Sequence, residues 1–243
     1  MQVVKENKLK CLFVLLSLAL LIVVVTLAAS GGGSTDRRQA VIPHEPNAAR
    51  RAFALLSGIP QHGSILGYRK APVTLQFFGD LQCEMSRQVM LGALPFLIRH
   101  WVRSGKLRIR FRSTETDTKR AGGVLEFREQ QSAALAAGRQ GKLWSFIDVF
   151  YREQGPENTG YVDEAFLNGI AAKAGVEMSQ WEEDRDPVPW YGRIEADERL
   201  AKTTGVISTP SFLIGPTGGA AWPLRHFALE DSRVFDEAIR ELL

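Results

Sequence analysis

The sequence is poor in the residues that most often carry chemistry. Its 243 residues include two cysteines and four histidines. Cys11 lies inside an uncharged N-terminal run, so the remainder has one thiol, Cys83, and no internal disulfide to staple it. One cysteine and scattered histidines lack the spacing of a ligand set, so neither a metal nor another cofactor is expected. Charge of one sign is also missing: 30 basic against 27 acidic residues leave +3. With no basic patch interleaved with aromatics, this argues against nucleic acid as a partner. No phosphate loop is present, because "SGGGST" lacks the lysine and follows no soluble strand. Internal repeats are absent.

What is there begins with a long apolar run. Lys5, Lys8 and Lys10 precede nineteen uncharged residues, Cys11 to Ala29. At about 1.5 Å per helical residue, that run nearly crosses a hydrocarbon core of roughly 30 Å. Lysines before it and none just after it put the N-terminus in the cytoplasm and the rest outside. The alternative is a cleaved signal peptide with "AAS" before Gly31, but the run exceeds the roughly 7–15 apolar residues usual there. Residues 1–30 are therefore expected to be a membrane anchor with the domain on the extracytoplasmic side; secretion after cleavage is the other outcome. Both place the domain where disulfides persist. Residues 31–56 read as a flexible tether and a short helix, with Ala52, Leu55 and Leu56 on one face and Gly58 and Pro60 as its stop.

Residues 57–243 alternate between strand and helix texture. "PVTLQFF" is a strand, with Val73, Leu75 and Phe77 on one face. From Cys83 the period becomes helical through Met90, Leu94, Leu97, Ile98 and Trp101, with Pro95 expected to kink the axis and Gly105 to end it. "KLRIRFRS" alternates strictly, and its three arginines, 108, 110 and 112, predict an edge strand with a solvated face. A helical block follows over about 115–204, with Ser179 as a cap for its fourth helix. "SFLI" and a weaker edge strand around Pro223 form a hairpin, and a last helix from about Leu229 turns Phe235, Ala238, Ile239 and Leu242 inward. The order predicts a parallel strand–helix–strand unit, then antiparallel strands added to the same sheet.

Cys83 sits where a strand gives way to a helix, in "DLQCEMSRQ". Unpaired N–H groups and partial positive charge at a helix start stabilise a thiolate. Glu84 and Asp80 oppose a second negative charge nearby. Asp80 is a candidate for tuning the sulfur, by capping the helix or by proton transfer, and Ser86, one turn on, for donating to it. The ordinary reading of a lone cysteine is a small buried hydrophobe.

"APVTLQFFGDLQCEMSRQ" resembles the active-site segment of DsbA-like thioredoxin-fold proteins, where a strand leads into Cys-x-x-Cys. "GVISTPSFLIG" resembles the family's second signature, a Thr-Pro pair with cis-proline before a strand. The likeness runs over about 57–243. It implies an α/β thioredoxin-like fold with an inserted α-helical subdomain, preceded by the N-terminal transmembrane helix. It implies catalytic roles for Cys83 and Ser86, substrate binding by Glu84, Met85, Thr209 and Pro210, and protein thiols or disulfides, or a small thiol, as partners. Ser86 departs from the pattern, since serine cannot close a disulfide or resolve a mixed one. The resemblance therefore implies a monothiol exchange protein. A non-catalytic module that binds extended polypeptide beside Pro210 is the alternative. A cysteine hydrolase would need His44, His62, His100 or His226 as base, His62 being the one in the lead-in loop.

Overall fold

The computed structural model describes residues 47–118, 124–157 and 159–243. The expected anchor at 1–30, the tether up to residue 46, Cys11 and His44 lie outside them. Among the described residues no helix is long and apolar enough to cross a membrane.

A six-stranded mixed sheet organises the chain, in the order β1-β2-β4-β3-β5-β6. The strands are β1 (Gln61–His62), β2 (Ile65–Leu66), β3 (Val73–Gly79), β4 (Leu107–Ser113), β5 (Ser211–Pro216) and β6 (Trp222–Leu224). β3 and β4 run parallel in register from Val73↔Leu107 to Gly79↔Ser113. β5 pairs antiparallel with β3 and β6 antiparallel with β5, as the hairpin pattern predicts. Alternation sends Val73, Leu75, Phe77, Leu107, Ile109 and Phe111 into one sealed face. There Phe77 stacks on Phe212 at 5.1 Å, meets Phe111 edge-on at 5.6 Å, and Phe212 meets Phe235 at 4.9 Å.

The helices are α1 (Ala48–Leu56), α2 (Glu84–Leu91), α3 (Leu94–Leu97), α4 (Val124–Arg139), α5 (Leu143–Arg152), α6 (Glu164–Ala174), α7 (Met178–Asp184), α8 (Tyr191–Thr203) and α9 (Arg233–Glu241). Five of them, α4 to α8, fall between β4 and β5. The aromatic stripe of α5 is core, with Leu143, Phe146, Ile147 and Phe150 fully buried.

Five expectations need correction. β4 is not an edge strand, because the short β1–β2 hairpin, which the sequence offers only as a lead-in loop, pairs with it through Ile65↔Arg110 and Leu66↔Ile109. Nor are its arginines a solvated face. α8 packs over them, and Arg112 bonds Asp197 at 2.7 Å and Gln76 at 2.9 Å, while Arg108 bonds Thr74 at 2.8 Å. Arg110 keeps a buried Nε without a partner. The long helix after Cys83 breaks at Gly92, not at Pro95. Gly92 has φ −98° and ψ −83°, and a side chain there would meet the backbone of Leu229 and Glu230 at 2.9 Å. Pro95 lies in the first turn of α3, where its missing N–H costs nothing; one π-helical turn, Ile98–Val102, follows. Finally, α7 is capped by Glu177, whose carboxylate accepts from Ser179 and Gln180 N–H, and α9 starts at Arg233 rather than near Leu229.

The Arg112–Asp197 pair gives a direct check. Asp197 is sealed and also accepts the Ser113 N–H. Removing one partner of a buried pair strands the other, at about 3 kcal/mol or more. Asp197→Ala should lower the urea midpoint accordingly. A loss of about 0.5 kcal/mol, as for an exposed pair, would mean that water reaches this face after all.

Candidate thiol site

β3 delivers the chain to the site. Its last residue, Gly79, is followed by a tight turn in which Cys83 N–H donates to Asp80 O at 3.2 Å. Cys83 is the N-cap of α2, extended at φ −71° and ψ 118°, and its carbonyl accepts the first helical bond from Arg87 N–H at 3.1 Å. Cys83 is 1 % exposed. Its thiol donates to Thr209 O at 3.4 Å, across 126 residues of sequence. The Thr209–Pro210 peptide is cis, and both residues are buried. Cys83, Thr209 and Pro210 are thus brought together.

The other anticipated residues fall in different places. Ser86 is sealed one turn along α2, and its Oγ has no partner in hydrogen-bond geometry, although it lies close enough to the sulfur to favour the thiolate. Glu84 pairs with Arg87 at 3.2 Å, and Met85 is 47 % exposed beside it. Asp80 does not cap α2. Its carboxylate, fully buried, accepts from Gln82 N–H at 3.0 Å, Thr116 N–H at 2.9 Å, Thr118 N–H at 3.0 Å and the Thr118 hydroxyl. It fixes the segment after β4 against the turn before Cys83. The helical block closes the other side: Tyr151 Oη donates to Asp80 O at 3.1 Å and Gln154 to Leu81 O at 2.8 Å.

Two acidic residues that the linear pattern does not mark complete the site. Glu157 accepts the Glu84 N–H at 2.7 Å and so takes a free N–H at the start of α2. Asp117, next to Thr116, faces the sulfur. The Cys83 thiol, the Asp117 carboxylate and the Glu157 carboxylate each offer an atom within 4.8 Å of the others. They come from three separate loops, which is why no spacing rule could find them. His62 lies on β1, with β2 and β4 between it and β3, and His100 stacks on Phe96 at 5.2 Å.

These surroundings set the sulfur's proton affinity. Burial pushes the thiol up from an ordinary 9.0 to about 11, and Asp117 pushes it the same way; Thr209 and Ser86 pull it down without prevailing. Burial likewise raises the Tyr151 and Tyr161 hydroxyls, so both stay protonated, and Tyr151 is the one that donates, to Asp80 O. The resting site is a protonated thiol bonded to a carbonyl.

A family model described as thioredoxin matches residues 61–218. A Bacillus anthracis protein called probable disulfide bond formation protein D is 23% identical over 156 residues, 61% of this chain and 68% of that protein. Among solved structures, oxidised BdbD from Bacillus subtilis superposes with a TM-score of 0.61 at 19% identity, covering 77% of this chain and 97% of that one. Wolbachia pipientis alpha-DsbA1 gives 0.60 at 19% identity, covering 77% and 92%. At such identities the structures speak to the fold, and within that fold this chain sets Cys83 at a helix start against its Thr209–Pro210 peptide. This chain belongs to the thioredoxin family and is a DsbA-like member of it.

Proposed function

We propose that this chain is an extracytoplasmic thiol–disulfide exchange protein that works through one sulfur, Cys83. The observation that carries the reading is the Cys83 Sγ to Thr209 O hydrogen bond, which sets the sulfur at the start of α2 beside Pro210. The names of the relatives point to the same chemistry. The Cys83 thiolate would attack a disulfide, form a mixed disulfide with one half and release the other half as a thiolate. Ser86 has no sulfur with which to displace that half, so an external thiolate must complete the cycle, restoring Cys83 and carrying away the bound group as a new disulfide. The proton first leaves Cys83 to solvent or to Asp117, the carboxylate that acts on it most.

The same geometry bears on direction. A thiol whose thiolate is disfavoured is a slow nucleophile and a poor leaving group, so a mixed disulfide at Cys83 is expected to persist. One observation favours the second reading, a module that holds extended polypeptide without exchange: the sulfur is sealed when nothing is bound. Met85, half-exposed next to it, offers apolar surface to such a chain under either reading.

Alkylation by iodoacetamide should follow thiolate population, rising with pH to a midpoint near 11. At neutral pH it should run about a hundredfold below an ordinary cysteine of pKa 9.0. Asp117→Asn removes one upward influence, so its midpoint should fall. A native-state rate equal to that of the unfolded chain would contradict a closed thiol.

With a small symmetrical disulfide above pH 9, peptide mass spectrometry should find an adduct at Cys83, stable until a thiol is added. Ser86→Cys should release that adduct unaided by forming an internal disulfide. If the native protein stays unmodified while the unfolded chain reacts, exchange is refuted and the polypeptide-binding module remains.

A further inference from the structure

α8 adds a fourth arginine to the arginine row of β4. Arg108, Arg110 and Arg112 stand two residues apart on one face of the strand, and Arg193 meets them from α8. Among the described residues, Asp197 is the one carboxylate paired with any of the four: it bonds Arg112 at 2.7 Å and lies 3.5 Å from Arg193 Nε. Four positive charges thus share one negative charge under a helix. We infer that Arg110 and Arg193, with the Ser64 hydroxyl beside them, form a site for a tetrahedral oxyanion of the phosphate class.

These two arginines hold donors that nothing uses. Arg110 Nε is buried without a hydrogen-bond partner. So is Arg193 Nε, whose approach to Asp197 is an ion pair without hydrogen-bond geometry. The residues are neighbours: Arg110 stands opposite Ile65 in the β2–β4 register, and Arg193 Nη2 donates to Oγ of the preceding Ser64 at 3.0 Å. That hydroxyl accepts the bond and keeps its own proton to donate. The rest of the row is engaged, Arg112 with Asp197 and Gln76, Arg108 with Thr74 and the Arg69 carbonyl.

Charge is the independent sign. Burial, then the like charges of Arg112, Arg108 and Arg193, lower the proton affinity of Arg110, and Asp197 opposes them. A water molecule would meet one orphaned N–H and leave the repulsion in place; an anion meets both N–H groups and the charge. A guanidinium presents two parallel N–H groups to two oxygens, which selects phosphate or sulfate over chloride. The Arg193 side chain is 38 % exposed, so the ion enters from solvent. Binding makes hydrogen bonds and no covalent bond. Cys83 takes no part, so the site does not rest on the exchange reading.

The full chain, dialysed free of phosphate, should be titrated calorimetrically with orthophosphate at an ionic strength held constant with chloride. One equivalent should bind, and sulfate should compete for the site. Arg110→Gln and Arg193→Gln should each weaken binding at least about tenfold, the loss of a charge-assisted hydrogen bond, while Arg225→Gln, exposed beyond β6, should leave it unchanged. Two measurements serve if a glutamine variant fails to fold. Arg110→Lys keeps the charge without the fork and should also bind more weakly. In the native chain, phosphate should raise the urea midpoint above its value in chloride of equal ionic strength. Phenyl phosphate is the second arm: tighter binding than orthophosphate assigns the site to a phosphate monoester, and equal or weaker binding assigns it to the free ion. No heat and no shift of the midpoint would overturn the site. So would binding that chloride matches, or that ignores both glutamine substitutions, which would mean an adventitious ion only.

Discussion

The carboxylate of Asp80 holds the site together. Three loops must meet for the sulfur to have its surroundings: the turn between β3 and α2, the segment after β4, and the end of α5. Asp80 takes Gln82, Thr116 and Thr118 on its side chain and Tyr151 on its backbone oxygen. Hydrogen bonds to a charged group are worth more than neutral ones, and a fully buried carboxylate is tolerable only when it collects several. This constraint fixes Thr116, which bonds the Thr209 hydroxyl, and Asp117 beside it. The setting of Cys83 is in that sense a consequence of how one neighbouring anion is satisfied.

The sulfur lies between opposing influences. A helix start favours negative charge, and Ser86 and Thr209 help. Burial opposes it, and so does Asp117, while Glu157 occupies an N–H that would otherwise point to an incoming charge. Burial is the largest of these effects and decides the outcome. The fold thus supplies the position of a reactive thiol, while the local side chains keep it at rest. Whatever engages the Cys83 thiolate must bring something that compensates its charge.

Much of the sheet was legible in the sequence, because local pattern carries it: β3 and β4 follow from period-two alternation, β5 and β6 from an apolar run and a weaker one parted by a turn, and the helix after Cys83 from its helical period. The pair of Cys83 with Thr209–Pro210 was legible only through resemblance, since nothing within a window of neighbours joins residues 126 apart. Three things were not legible, for physical reasons. The two-residue strands β1 and β2 are too short to show a period. The fate of the β4 arginines depended on whether a distant helix carried an acid over them, and α8 does, at Asp197. The meeting of Asp117 and Glu157 at the sulfur depends on loop paths, which no spacing encodes.

Gly92 links the site to the end of the chain. Because it lacks a side chain, the Leu229–Glu230 backbone enters the break after α2, and Leu229 O takes the Ala93 N–H at 3.2 Å. The helix that bears Cys83 at one end is therefore buttressed at the other by residues far along the sequence. Until these and residue 209 have been made, a nascent chain carries Cys83 with neither roof nor brace, so the thiol acquires its protection from adventitious oxidation only after Glu230 has emerged.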